Sequence, residues 1–129
     1  MTSYDAFLAQ VRHRSGYGDT AHAEQILASA LEVLADRISP HTAQVLAREL
    51  PAFLTEALES RTDTEAEQFS AEAFCRRMAE LNETDLITAR WDAEVVLTCL
   101  ADTQPQELTA QLLHELPHDY WPLFGRPAD

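Results

Sequence analysis

Arg48-Glu49-Leu50-Pro51 returns as His114-Glu115-Leu116-Pro117, 66 positions later and behind a matching helical pattern. The same offset carries Ala30, Leu31 and Leu34 onto Val96, Leu97 and Leu100, Leu46 and Leu50 onto Leu112 and Leu116, and Leu58 onto Phe124. Near the start it slips to 67, taking Phe7 to Phe74 and Val11 to Met78, as a loop of different length in one copy would do. Self-similarity at a fixed offset guides architecture better than the propensity of any one segment. It predicts two similar halves, 3–58 and 69–124, joined by the polar stretch 59–68 within a single domain 1–129.

Within each half the apolar residues recur at helical spacing. Tyr4, Phe7, Leu8 and Val11 form one stripe of a first helix, which Gly16 and Gly18 end. Asp19 or Thr20 caps a long second helix, where Leu27, Leu31, Leu34 and Ile38 are widened by Ile26, Ala30 and Val33. Ser39-Pro40 pairs an N-cap with a proline at the first helical position, opening a third helix with Ala43, Leu46, Ala47 and Leu50. Pro51 starts a short fourth helix bearing Phe53, Leu54, Ala57 and Leu58. The second half repeats the plan. Ser70 caps a helix with Phe74, Met78 and Leu81, and Asp85 or Thr84 begins the long helix whose Ala89, Ala93, Val96, Leu97 and Leu100 are flanked by Trp91, Val95 and Cys99. Pro105 opens a helix with Leu108, Leu112, Leu113 and Leu116, and Pro117 a last short one with Tyr120, Leu123 and Phe124. No alternating strand is found, so the expected fold is all-α: a compact bundle with one long central helix per half and short helices joined at a Leu-Pro corner.

A chain of 129 residues that is 46% hydrophobic has enough material for a core. No apolar run approaches the roughly 18 to 20 residues of a membrane span, and the start carries no secretory pattern, so no membrane association and a cytoplasmic location are expected. The formal net charge is −13, and all nine basic residues are arginine. This acidic surplus repels phosphates and leaves no basic stripe, which argues against nucleic-acid binding. Cys75 and Cys99 have no metal or disulfide spacing and read as small, reduced core residues.

His114-Glu115-Leu116-Pro117-His118 matches the H-E-x-x-H pattern, which needs a continuous helix to set two imidazoles and a general base on one face. Pro117 denies that continuity by removing a backbone donor and clashing one turn back. The equivalent Arg48-Glu49-Leu50-Pro51-Ala52 keeps the corner without histidine, so the corner is read as architecture. A looser metal site from His114, His118 and Asp119 stays open as an alternative. Trp121 falls where the repeat places Thr55, outside the apolar stripe, which makes Tyr120 and Trp121 a candidate partner contact; folding of Trp121 back over the bundle end is the alternative.

The pattern Tyr4-x-x-Phe7-Leu8-x-x-Val11, the run from Ala28 to Ile38, the corner Leu50-Pro51 and the closing Leu116-Pro117-His118-Asp119-Tyr120-Trp121-Pro122-Leu123-Phe124 together resemble the bacterial domain-of-unknown-function family numbered 2267. The resemblance covers about residues 4 to 124 and departs at Trp121-Pro122, where the family pattern more often has polar residues. It implies a compact all-helical bacterial protein with an internal duplication, and it supplies no catalytic residues. No cofactor is expected. The leading expectation is a non-enzymatic protein-interaction or regulatory module that binds a partner or itself. Binding of a small molecule between the halves, near Trp91, Cys99 and Met78, is the alternative, and metal binding at His114 and His118 a third reading.

Overall fold

The computed structural model describes residues 4–50 and 66–126. The short helix expected after Pro51 and most of the expected 59–68 linker lie outside the described residues. Those described are all-α, with no strand: α1 Tyr4–Ser15, α2 Thr20–Arg37, α3 Pro40–Glu49, α4 Ala71–Asn82, α5 Leu86–Thr103, α6 Gln106–Glu115 and a closing 3₁₀ helix His118–Phe124. Lengths of 12, 18 and 10 residues occur in that order twice, in α1 to α3 and in α4 to α6.

The helix ends follow side-chain chemistry. Asp19 caps α2 by accepting from the Ala21 N–H at 3.0 Å, and Asp85 caps α5 through the Thr88 N–H at 2.7 Å. Ser39 and Ser70 cap α3 and α4 through the Thr42 and Ala73 N–H groups. Each such cap satisfies one of the donors a helix start leaves open. At the other end of α3 and α6, Leu50 and Leu116 turn extended, with φ −95° and −92°, while each N–H still closes onto the carbonyl four residues back. A proline next in sequence cannot continue the helix, so both corners stop at the same place.

The two long helices form the centre, and the short ones cross over between halves. α1 packs on α2 and on α5, α4 packs on α5 and on α2, and α2 touches α5 directly. α3 pairs with α6, and the 3₁₀ helix lies against α5, α4 and α6. The core runs through Phe7, Leu27, Leu31, Leu34, Leu46, Phe74, Met78, Val96, Leu97, Leu112 and Phe124, all buried. Cys75 and Cys99 are buried free thiols within it, and burial pushes the Cys99 thiol up to about 11. One expected core residue is misplaced by the periodicity. Leu81, read as the end of the α4 stripe, is 46% exposed; in that last turn it is Asn82 that meets α2, at Ser29 and Gln25. No helix among the described residues is long and apolar enough to cross a membrane.

Candidate functional site

The segment that resembles a metalloprotease helix caps two other helices instead. Glu115 Oε2 accepts from the Ser39 backbone N–H at 2.7 Å, and Oε1 accepts from Ser39 Oγ at 2.8 Å and Thr42 Oγ1 at 2.9 Å. A carboxylate at that end also meets the positive pole of the α3 dipole. Asp119 Oδ2 does similar work for α4, accepting from the Ala71 N–H at 2.9 Å. His114 and His118 are exposed, and the His118 ring meets Trp121 at 4.7 Å between centroids. Among the described residues no group of three or more His, Cys, Asp or Glu side chains is placed to hold a metal ion. Both carboxylates of the segment, Glu115 and Asp119, are thus engaged in holding helices together.

The pair proposed from the sequence as a partner contact divides. Tyr120 is fully buried, which corrects the reading of it as a contact residue. Its hydroxyl donates toward the Phe69 carbonyl at 2.8 Å and the Ser70 carbonyl at 3.1 Å, its ring meets Phe74 edge-on at 5.9 Å, and the Arg37 guanidinium stands 5.5 Å from the ring centroid. Desolvation raises the phenol's pKa against the opposing charge of Arg37. Trp121 folds back over the bundle end, half-buried, its indole N–H donating to the Leu113 carbonyl at 3.2 Å. Its side chain thereby covers the end of α6.

Met78 and Cys99, expected beside an interhelical ligand space, are fully buried core residues, while Trp91 is 48% exposed and donates through Nε1 to the Ser15 carbonyl at 3.2 Å. A space between the halves does exist nearby, under different residues. A cleft of about 220 Å³ is lined by His22, Gln25, Ile26, Asn82, Glu83, Thr84, Thr88 and Asp92. Positions 22 and 88, and positions 26 and 92, are each related by the offset of 66. The cleft therefore opens where corresponding faces of α2 and α5 meet. Where α2 offers buried Ile26, α5 offers a carboxylate, Asp92, only 1% exposed.

Asp92 Oδ1 accepts from the Tyr17 hydroxyl at 2.7 Å, and the Tyr17 ring packs on His22 with centroids 4.1 Å apart and planes tilted by 36°. Burial pushes the Asp92 carboxyl up, and the Tyr17 hydrogen bond and His22 charge only partly offset it. The Tyr17 phenol is driven up to about 12, by desolvation first and then by its bond to Asp92. On the same wall, Asn82 Oδ1 receives Ser29 Oγ at 2.5 Å and Gln25 Nε2 at 3.3 Å, but its buried Nδ2 has no acceptor. Glu83 follows in the left-handed region at φ +52°, a position where helices usually place glycine. The sequence signal for this site was available in Asp92: the repeat sets it on the apolar position of Ile26, a carboxylate in a core slot.

A raised carboxyl pKa has a definite sign in stability. The folded state holds the Asp92 proton more tightly than the unfolded chain, so stability falls as pH rises from the unfolded value, about 3.9, toward the folded one. Asp92→Asn, whose amide oxygen still accepts from Tyr17, is expected to stabilise the protein at neutral pH on the order of 1 kcal/mol, with the gain vanishing in acid. Urea midpoints of both proteins across the acid range check this; a variant weaker than wild type at neutral pH contradicts it.

Elsewhere the surface carries an apolar face. Leu81, Leu86, Ile87 and Trp91 are the large hydrophobics exposed among the described residues, Ile87 at 85%, and all lie at the end of α4 or the start of α5. Leu86 and Ile87 border a shallow groove with Glu72, Cys75 and Arg90.

These features define an all-helical bundle with interlocked halves, a polar cleft between its long helices and an apolar face at the α4–α5 junction. The chain belongs to the family described as Uncharacterized conserved protein (DUF2267), which it matches over residues 4–123. A comparison with curated proteins finds no match.

Proposed function

We propose that the protein is a non-enzymatic, cytoplasmic interaction module that grips a partner protein with the face formed by Leu81, Leu86, Ile87 and Trp91. The observation that carries this reading is Ile87, an aliphatic side chain left 85% exposed between exposed Leu86 and Trp91. Contiguous apolar surface marks contact sites, and tryptophan is enriched at their centres. Arg90 stands exposed beside the face and makes no ion pair with a described residue. A protein segment with an apolar stripe and a carboxylate for Arg90 fits it. The engagement of Glu115 and Asp119 in helix capping supports the non-enzymatic part of the reading.

Ile87→Asp is expected to change stability by less than about 0.5 kcal/mol, as exposed substitutions do. Partner affinity is expected to fall about tenfold or more. Capture from the native host, quantified side by side for wild type, Ile87→Asp and Arg90→Glu, tests the assignment. A protein lost from both variants, and rebound in a purified system with the same ranking, supports it. Identical capture and sedimentation for all three sink it, and a wild-type dimer split by Ile87→Asp replaces the partner protein with a second copy.

A further inference from the structure

We infer that the cleft between α2 and α5 binds a small organic cation of the primary-ammonium type that also carries a neutral oxygen acceptor, with Asp92 as its anchor. This site is separate from the apolar face and stands or falls independently of it.

The charge of the ligand follows from what the cleft has and what it has already satisfied. Asp92 is buried, lines the cleft, and has the neutral Tyr17 hydroxyl as its hydrogen-bond donor among the described residues. A carboxylate offers about four acceptor positions, so the one Tyr17 donor, with the His22 imidazole nearby, offsets only part of its desolvation. An ammonium group entering the cleft supplies charge and donors together. Glu83 places a second carboxylate at the rim, on a left-handed residue that a glycine would occupy with less strain. The start of α5, which would otherwise favour an anion, is already met by Asp85. The burden of −13 formal charges works in the same direction.

The acceptor follows from the other residues that line the cleft. Gln25, Thr84 and Thr88 bring an amide and two hydroxyls to the cleft. Such donors orient a carbonyl or ether oxygen. Size is bounded as well. A molecule of liquid water takes about 30 Å³, so 220 Å³ corresponds to roughly seven waters, room for an amine of under ten heavy atoms.

Glycinamide, which pairs an ammonium with a neutral carbonyl, is the probe of choice. Putrescine carries two ammonium charges without the oxygen, acetamide keeps the oxygen without charge, and acetate reverses the charge. In amide-resolved NMR titrations glycinamide is expected to saturate with shifts centred on Gln25, Asn82, Glu83, Thr84 and Thr88, putrescine to bind more weakly, and acetamide and acetate to leave the cleft unperturbed. Asp92→Asn should weaken glycinamide binding about tenfold or more. Gln25→Arg, an exposed change that sets a positive charge at the rim without touching the core, should do the same in a protein of wild-type stability. Absence of saturable glycinamide shifts, shifts spread over the acidic surface, equal binding by both variants, or tighter binding of acetate would each overturn the inference.

Discussion

Tyr120→Ala is expected to cost the protein about 4 kcal/mol, within the range for emptying a large aromatic site. The residue is fully buried, and its ring joins Phe74 to the guanidinium of Arg37. Arg37 is itself 2% exposed and donates through Nε to the Phe69 carbonyl at 3.1 Å. Alanine would leave a cavity, remove a donor from the Phe69 and Ser70 carbonyls, and strip the aromatic face from a buried cation. Since whole domains are stable by only about 5 to 15 kcal/mol, the variant should be visibly close to unfolding. Tyr120→Phe separates the contributions: it keeps the ring and loses only the hydroxyl, for an expected cost of about 1 to 2 kcal/mol. Chemical denaturation of both variants provides the measurement, and near-equal midpoints for Tyr120→Ala and wild type would show that the 3₁₀ helix is not a working part of the core.

Glu115→Ala is expected to follow at about 2 to 3 kcal/mol. Three donors meet this carboxylate, two of them from Ser39 and one from Thr42. Hydrogen bonds to a charged group contribute about 1.5 to 3 kcal/mol net, and loss of an N-cap costs about 1 kcal/mol. Glu115→Gln should lose roughly half as much, since one amide oxygen can still accept while the NH₂ cannot. A metal-centred role for the same residue makes a different forecast, because a chelator would then reproduce the loss in the wild-type protein. Thermal denaturation with and without chelator distinguishes the two; an unmoved wild-type transition beside a destabilised Glu115→Ala is the expected pair of results.

The parts of this molecule written in local chemistry were legible beforehand. Apolar spacing, the caps at Asp19, Ser39, Ser70 and Asp85, and the Leu-Pro corners each depend on neighbours within a few residues, and each appears where the sequence placed it. The parts that depend on distant neighbours were not. Glu115 and Ser39 are 76 residues apart, and Tyr17 and Asp92 are 75 apart, so no local pattern announces either bond. Tyr120 shares its apolar stripe with Leu123 and Phe124, and all three are buried; the stripe holds, and the grouping of Tyr120 with Trp121 as a partner contact does not. Leu81 and Trp91 fit a helical stripe but are about half exposed, Trp91 beside the end of α1 at Ser15; how far neighbouring helices cover a side chain is not revealed by periodicity alone. The family assignment, carried mainly by the closing Leu116-to-Phe124 stretch, holds over residues 4–123.

The crossing of short helices between halves has a consequence for how the chain is made. While α1 to α3 leave the ribosome, α4 and α5, the helices of the second half that pack on α1 and α2 among the described residues, are not yet made. Phe7, Leu27 and Leu31 precede the start of α5 by 79, 59 and 55 positions, so they must wait in water, or under a chaperone, until it has been synthesised. A nascent protein of this design has no finished intermediate at its midpoint, so a ribosome stalled between the halves would hold a sticky fragment rather than half of a working protein.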